Sequence, residues 1–371
     1  MANLAPKTRT AAASRTTDFT ERMEFSSVKS AQSVVSSVPG ARSVLGMQDV
    51  APYLGELLED AMALKAQGRK GPLPQSLAGK AILMIYEKNS TRTRVSFEVG
   101  VQRLGGIAIN LDSQTSQLSR GESMEDTAQV LSRYGHALVY RANRHDSLEA
   151  LARYATVPVV NALTDKEHPC QILADWMTLV EHFNAQAASE GPKDRALRAE
   201  HYGGVAALKG KVFCYVGDGN NMLHSYLLGA AMAGMHVQAA CPKGYGPDPE
   251  ILEQAKAIAA RSGTRIVVFR RPEEALDGAD VVATDTWVSM GDEAEMVQRQ
   301  KAFAGYTLTE ELLAAHAAPG AVFLHCLPGH WGEEATYELA HGPRSLIYDE
   351  AENRMWAQMA LLVRLVGDRQ A

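Results

Sequence analysis

The sequence is poor in cysteine, and its few cysteines are not arranged as a metal or disulfide framework. Four cysteines occur in 371 residues, and no two of them form a CxxC pair. They are Cys170, Cys214, Cys241 and Cys326. The spacing therefore predicts neither a zinc site nor a set of disulfides, and it fits a reducing compartment best.

Long apolar runs and a concentrated basic stripe are also missing. No uninterrupted apolar run approaches the roughly 20 residues that a membrane-spanning helix needs. The formal net charge is −6, and the basic residues form no dense cluster in the body of the chain. Nucleic acid and membrane are therefore not expected as partners.

Acidic residues are scarce at the amino terminus, where residues 1–42 differ from the rest of the chain. This segment is rich in Ser, Thr and Ala, and it holds six basic and three acidic residues, with no acid in the first 17 positions. Such a composition is typical of an organelle transit peptide. We therefore expect residues 1–42 to direct the protein to a mitochondrial or plastid matrix. The alternative is a plain disordered tail on a cytoplasmic protein.

The body of the chain alternates short apolar strands with helical stretches, which is typical of parallel sheets in an α/β protein. At 371 residues the chain is too long for one typical core, so two domains are expected. The polar, small-residue stretch 184–204 is the predicted loop near their boundary. The predicted strands are 81–86, 107–111, 137–141, 157–162, 211–217, 236–242, 265–269, 281–285 and 321–326.

The segment EKNSTRTRVSFE (87–98) concentrates hydroxyl and guanidinium donors between a predicted strand and a predicted helix. A helix start offers free backbone N–H groups and the positive end of the helix dipole, and arginine adds a fork for phosphate or carboxylate oxygens. The pattern therefore predicts an anion site. The alternative is a capping Ser or Thr followed by surface arginines.

Polar clusters also follow five predicted strands, where ligands bind in parallel α/β folds. His168 and Gln171 lie three residues apart at a helix start, so both can reach one small ligand. Structural explanations remain open at this point: His168 would be a buried structural histidine, Asn220 and Asn221 would cap a helix, and Cys326 would be an inert apolar thiol. The clusters are Arg141, HPCQ (168–171), DGNN (218–221), DTWVSMG (285–291) and HCLP (325–328).

Three motifs in this order, STRTR (90–94), HPCQ and HCLP, resemble the aspartate/ornithine carbamoyltransferase family. VGDGNN (216–221) and DTWVSMG resemble its ornithine branch in particular, and the resemblance covers residues 43 to about 367. It implies an α/β fold of two domains, each with a mainly parallel sheet flanked by helices. Residues 43–180 would bind carbamoyl phosphate, residues 181–345 would bind ornithine, and a C-terminal helix within 346–371 would return to the first domain.

The resemblance also implies residue roles. Carbamoyl phosphate would be bound by Ser90, Thr91, Arg92, Thr93, Gln117, Arg141, His168, Gln171, Cys326, Leu327 and Arg354. Ornithine would be bound by Asn221, Asp285, Ser289 and Met290. Cys326, Asp285, Arg141 and His168 would be catalytic. Gln117 would reach into the site of a neighbouring subunit, so a homotrimer with shared active sites is implied.

The implied reaction converts carbamoyl phosphate and L-ornithine into L-citrulline and phosphate, in arginine biosynthesis or the urea cycle, and it requires no metal or organic cofactor. Two departures from the family lie near the site. Gly329 stands where ornithine members often carry Arg, and Ser119 replaces a common Gly. We expect Gly329 to leave open space and to weaken ornithine binding somewhat.

Three alternatives follow from the same residues. The first is a carbamoyltransferase that acts on aspartate, putrescine or an acylated ornithine. The second is a nucleotide-dependent oxidoreductase, although YVGDGN (215–220) lacks the GxGxxG spacing. The third is a non-catalytic protein that only binds carbamoyl phosphate.

Overall fold

Two separate parallel sheets organise the chain, as seen in a computed structural model that describes residues 43–113, 117–189, 204–288 and 295–367. The first sheet has four strands in the order β2-β1-β3-β4, and every neighbouring pair is parallel. Both faces of β1 are buried: Ile82 and Met84 belong to one apolar cluster, and Leu83 and Ile85 to another. The strands are β1 Ala81–Tyr86, β2 Ile107–Asp112, β3 Ala137–Arg141 and β4 Val159–Leu163.

The second sheet has five parallel strands in the order β7-β6-β5-β8-β9. The strand order reverses direction at β5, which is the position where ligands bind in open parallel sheets. Both β8 and β9 are buried along their whole length, as their continuous apolar sequences predict. The strands are β5 Val212–Val216, β6 His236–Ala240, β7 Ile266–Phe269, β8 Val281–Thr284 and β9 Val322–His325.

Helices flank the sheets. The α-helices of the described residues are Met47–Val50, Leu54–Gly68, Arg92–Arg103, Met124–Leu131, His145–Tyr154, Pro169–Ser189, Asn221–Ala233, Pro249–Ser262, Pro272–Leu276, Met296–Ala302, Glu310–His316, Tyr337–Ala340 and Ile347–Val366. Short 3-10 helices span Ala51–Tyr53, Gln117–Arg120 and Gly204–Leu208. None of the helices in the described ranges is long and apolar enough to cross a membrane.

The C-terminal helix, Ile347–Val366, returns to the first domain and packs on three of its helices, as predicted. Its buried side contacts the helices Leu54–Gly68, Arg92–Arg103 and Pro169–Ser189. Lys65, which is buried, donates to Asn353 Oδ1 at 2.7 Å, and Arg364 pairs with Glu56 near the other end. Arg354, midway along this helix, is thereby carried to the carboxyl end of the first sheet.

The predicted fold class is confirmed, and each of the nine predicted strands is present within one or two residues of its predicted ends. The predicted loop 184–204 is wrong in its first part, because the Pro169–Ser189 helix continues through it to Ser189. The helix has a buried apolar face that includes Phe183. Packing of this face favours continuation of the helix into the polar residues that follow Phe183. The helix also runs through the domain boundary predicted at 180/181.

Candidate active site

The first half of the site is built where β1 ends and the helix Arg92–Arg103 begins. The backbone N–H groups of this helix start face the carboxyl end of the sheet, next to Ser90, Thr91 and Arg92. Thr93, in the first turn, is only 1% exposed, and its hydroxyl accepts a hydrogen bond from Arg354 Nη2 at 2.9 Å. The junction therefore holds the donor cluster that the sequence predicted, and it ties that cluster to the C-terminal helix.

Arg354 connects three elements of this half-site. Besides Thr93, its Nη1 donates to Gln171 Oε1 at 2.6 Å and lies 3.2 Å from His168 Nε2. All four side chains are buried. Thr93, the segment 168–171 and Arg354 are distant from one another in sequence, and the structure brings them together at this point.

Arg141 ends β3, at a register shift between β3 and β4 that turns it toward the same edge of the sheet. The side chain is 7% exposed, and burial together with the nearby Arg354 charge lowers the pKa of its guanidinium to about 10. A buried cation is costly unless an anion accompanies it. Arg141 therefore makes this edge a site for a negatively charged ligand.

His168 is held as a neutral imidazole. Burial, and then the charges of Arg354, Arg141 and Arg92, lower its pKa well below the usual range. Because an arginine can only donate, the hydrogen bond to Arg354 makes Nε2 the acceptor and leaves the ring proton on Nδ1. His168 can therefore donate this proton in a hydrogen bond to a carbonyl oxygen.

The second half of the site lies at the carboxyl ends of β5, β8 and β9. Asp285 follows β8, and its two carboxylate oxygens accept from Cys326 Sγ at 3.2 Å, from the Thr286 backbone N–H at 2.8 Å and from Asn220 Nδ2 at 2.9 Å. Burial, and then the Asp285 charge, raise the pKa of the Cys326 thiol well above its usual range. Cys326 is therefore a protonated thiol that donates to Asp285, and it is not a thiolate base.

The turn that precedes Asn220 explains the glycines of VGDGNN. A Cβ at Gly219 would lie 2.1 Å from the backbone carbonyl carbon of Gly246, so only glycine fits this contact. Asn220 then caps the helix Asn221–Ala233 by accepting from the backbone N–H groups of Met222 and Leu223. The glycine pattern serves backbone packing and a helix cap, and the sequence analysis missed that Asn220 also orients Asp285.

The HCLP turn carries a strained residue. Leu327 has φ = 57°, a conformation that is costly for a branched side chain, and such strain is concentrated at functional sites. The turn is held because the Leu327 N–H donates to His325 Nδ1 at 2.9 Å, while His325 Nε2 lies 3.1 Å from Glu334 Oε1. His325 and Glu334 are fully buried, and they fix the turn from its buried side.

The expectation that Gly329 leaves open space is wrong. A Cβ at this position would lie 2.2 Å from the ring of Trp331, so the indole already fills the volume beside Gly329. The Trp331 ring packs in turn against His325, with ring centroids 5.3 Å apart. A bulky side chain at 329 requires the indole to move, which a sequence without coordinates does not reveal.

The remaining predicted site residues make no hydrogen bond to the side chains described above, or they lie outside the described residues. Asn221 Nδ2 donates to the Thr164 carbonyl oxygen at 2.6 Å, which links the second domain to the loop before His168. Gln117 is exposed on the turn Gln117–Arg120. Ser289 and Met290 lie outside the described residues.

The two halves meet through direct contacts, because Asn221 Nδ2 donates to the Thr164 carbonyl oxygen and the His168 backbone N–H donates to Ser225 Oγ. In the described residues, one group of side chains has metal-ligand spacing, His330, Glu333 and Glu334. Glu334 is already used by His325 and by the His330 backbone N–H. The site thus combines buried nitrogen donors in the first half with the hydrogen-bonded carboxylate of Asp285 in the second half.

Comparison with known proteins agrees with this geometry. Residues 42–181 match the carbamoyl-P binding domain of the aspartate/ornithine carbamoyltransferase family, and residues 209–365 match its Asp/Orn binding domain. The chain is 46% identical to ornithine carbamoyltransferases of Methanoculleus marisnigri, over 89% of this chain and 98% of the relative, and of Methanosarcina acetivorans, over 88% and 99%.

Solved structures show the same likeness. The ornithine carbamoyltransferase of Pyrococcus furiosus superposes with a TM-score of 0.78 at 42% identity, covering 88% of this chain and 97% of that one. A mitochondrial ornithine carbamoyltransferase from Coccidioides immitis superposes with a TM-score of 0.76 at 31% identity, covering 88% and 98%.

Proposed function

The chain belongs to the aspartate/ornithine carbamoyltransferase family, and from this premise we propose that it transfers the carbamoyl group of carbamoyl phosphate to the side-chain amine of L-ornithine, forming L-citrulline and phosphate. The carbamoyl phosphate domain would extend over 43–180 and be completed by the C-terminal helix within 346–371. The ornithine domain would extend over 181–345.

One observation carries the proposal for carbamoyl phosphate. Arg141 Nε, His168 Nδ1 and Arg354 Nε are buried nitrogen donors that have no hydrogen-bond partner among the described residues. Buried donors are rarely left unsatisfied, because each costs about 1–3 kcal/mol. A small dianion rich in acceptor oxygens would satisfy all three donors and would also offset the charges of the two buried guanidinium groups, whereas a cation would do neither.

The phosphate and the carbamoyl group would occupy different parts of this half-site. The phosphate would lie at the start of the helix Arg92–Arg103, bound by Ser90, Thr91, Arg92 and Thr93. The carbamoyl oxygen would accept hydrogen bonds from the arginine and histidine donors, with Gln171 and Leu327 beside the amide nitrogen. Arg354 would contact both parts, because it already bridges Thr93 and His168.

The amine half-site is supported by the carboxylate of Asp285. A carboxylate has about four acceptor positions, and three are used by Cys326, Thr286 and Asn220. The remaining position would accept from the α-ammonium group of ornithine. Asn221 would bind ornithine after releasing Thr164, and Ser289 and Met290 stay predicted ligands.

The transfer would proceed by attack of the neutral δ-amine on the carbamoyl carbon. An amine with a pKa of about 10.4 is neutral in only about one molecule in two thousand at pH 7, so the site must favour deprotonation. The δ-ammonium group would lose one proton to solvent as ornithine binds beside the protonated Cys326 thiol, and the attacking nitrogen would give its second proton to the departing phosphate. Arg141 and His168 would stabilise the negative carbonyl oxygen of the tetrahedral intermediate, and the C–O bond to phosphate would then break with the phosphate held by Arg92.

A panel of amines tests the proposal. Citrulline and phosphate should be released in equal amounts from carbamoyl phosphate and L-ornithine. Aspartate and putrescine should give far less product under the same conditions. A faster reaction with either of these amines would show that this member of the family uses a different amine as its substrate.

We also propose a homotrimer that shares its active sites. Exposed apolar side chains surround the edge strand β2, a surface that a free monomer would be expected to protect. Ile107 and Ile109 lie on β2 itself and are 58% and 42% exposed. The helix Arg92–Arg103, which contacts β2, adds Val95 and Val99, which are 51% and 39% exposed. Burial of this surface in a neighbouring subunit would place the nearby Gln117 turn beside that subunit's site, and sedimentation analysis should report a trimer.

Residues 1–42 lie outside the described residues, and we propose that they are a transit peptide for an organelle matrix. Deleting them should leave the melting temperature and the activity of the purified enzyme nearly unchanged, and it should abolish organelle import. A large fall in melting temperature would contradict the proposal.

A further inference from the structure

The helix Asn221–Ala233 of the second domain reaches beneath the carbamoyl phosphate half-site through two neighbouring buried side chains. Ser225 Oγ accepts from the His168 backbone N–H at 2.8 Å. Tyr226, the next residue, donates its hydroxyl hydrogen to Asp175 Oδ2 at 2.7 Å. Both side chains are fully buried. Neither can touch the reacting atoms if the donors above them bind carbamoyl phosphate, so any effect must pass through other residues.

Asp175 passes the contact on to Gln171. Its other carboxylate oxygen, Oδ1, accepts from Gln171 Nε2 at 2.8 Å. This bond fixes which end of the Gln171 amide faces the site, because the amide nitrogen is taken up by Asp175. The amide oxygen is consequently turned to Arg354 Nη1, from which it accepts at 2.6 Å. With the amide reversed, an NH₂ group would face the guanidinium, and two donors would oppose each other.

We propose that Tyr226 is a positioning residue for carbamoyl phosphate, acting through Asp175 and Gln171 on the guanidinium of Arg354. The inference rests on the proposed function and adds a residue of the amine-binding domain to the other substrate's site. The relay runs from Tyr226 to Asp175 to Gln171 to Arg354, with one hydrogen bond at each step.

The relay predicts a pH dependence. Two donors on two separate oxygens match the ionised form of Asp175, because a protonated carboxyl group must use one oxygen to carry its own hydrogen. Burial raises the pKa of Asp175 to about 7, while the Tyr226 and Gln171 hydrogen bonds and the Arg354 charge oppose that rise. Carbamoyl phosphate binding should therefore weaken as the pH falls through this value.

Glu350 and Cys326, two other titratable groups near Asp175, do not remove the pH dependence of carbamoyl phosphate binding. Glu350, on the C-terminal helix, is buried, and burial together with the Asp175 charge raises its pKa well above the usual range. It is therefore protonated near neutral pH. Burial likewise keeps the Cys326 thiol protonated. Asp175 and Glu350 lie close enough to titrate as a pair. Asp175 is the member that the hydrogen bonds from Tyr226 and Gln171 favour in the ionised form.

The experiment compares Tyr226→Phe with the wild-type enzyme. The KM for carbamoyl phosphate should rise about tenfold at pH 7, as expected when a hydrogen bond to a charged acceptor is lost. The KM for ornithine should stay within about twofold. The acid limb of kcat/KM for carbamoyl phosphate should move to higher pH, because the variant lacks a donor that favours ionised Asp175.

Two further variants make the result decisive. Tyr306→Phe is the matched control, since it removes a tyrosine hydroxyl that donates to the Arg270 carbonyl oxygen away from the relay, and it should leave both KM values and the pH profile unchanged. If Tyr226 acts through Asp175, the double variant Tyr226→Phe/Asp175→Asn should bind carbamoyl phosphate no more weakly than Asp175→Asn alone.

The outcomes separate this inference from the proposed function. An active wild type combined with an unshifted acid limb and an unchanged KM for carbamoyl phosphate in Tyr226→Phe would overturn the inference alone. Additive losses in the double variant would also overturn it. A wild type that releases no citrulline would overturn the proposed function and the inference with it.

Discussion

Replacement of Arg354 by lysine should weaken carbamoyl phosphate binding by roughly 10- to 100-fold while the fold is retained. The guanidinium makes three hydrogen bonds, to Thr93, Gln171 and His168. A lysine ammonium keeps the charge but lacks the planar fork, so it can replace about one of them. Lysine also has no counterpart of the buried Arg354 Nε, which has no partner among the described residues and would donate to carbamoyl phosphate. Losing one hydrogen bond to a charged ligand, about 1.5–3 kcal/mol, corresponds to a factor of roughly 10 to 100 in affinity.

The assay is the KM for carbamoyl phosphate at saturating ornithine, together with the melting temperature. Arg364→Lys is the matched control, because Arg364 lies on the same helix but pairs at the periphery with Glu56 and Asp60. Such surface pairs contribute about 1 kcal/mol or less, and the control should bind carbamoyl phosphate as the wild type does. Equal KM values in Arg354→Lys and the wild type would refute the central position given to Arg354.

Three further predictions test separate parts of the site. Arg92→Gln should weaken carbamoyl phosphate binding at least about tenfold, because it removes a charged fork from a dianion; an unchanged KM would remove Arg92 from the site. Cys326→Ser should lower kcat more than it raises the KM for carbamoyl phosphate, and the reverse split would contradict a role in transfer. The stability of Glu167→Gln relative to the wild type should increase as the pH rises from 5 to 8. Burial raises the pKa of Glu167 to about 7, so its protonated form is favoured in the folded protein and that stability is lost as the pH rises through this value. Melting temperatures of the two proteins at pH 5 and pH 8 check this, and a difference that does not change with pH would contradict it.

Local sequence was sufficient for the sheets and for the strand-to-helix junction at 90–93. Apolar runs of four to six residues are long enough to mark a buried parallel strand, as in β1, and hydroxyl residues before a helix mark a helix start. The C-terminal helix returns to the first domain as expected, and it places Arg354 Nη1 3.2 Å from His168 Nε2. The role of Arg354 in binding stays a prediction.

Local sequence was insufficient where distant side chains compete for the same space or the same donor. Trp331 fills the volume beside Gly329, and Gly246 packs against Gly219. Asn220 is engaged both as a helix cap and as a donor to Asp285, so its neighbour Asn221 faces Thr164 instead. None of these contacts has a periodic pattern or a fixed spacing, because each depends on how two elements approach one another.

The pair of substrate affinities of Asp285→Asn tests the central claim most directly. This variant keeps the shape of the side chain and its acceptor for Asn220, but it removes the charge that would hold the ornithine ammonium group. The KM for ornithine should rise by about tenfold or more, and the carbamoyl phosphate affinity should stay within about twofold of the wild type. If carbamoyl phosphate affinity falls while the kinetics with ornithine are unchanged, the two half-sites have been assigned to the wrong substrates.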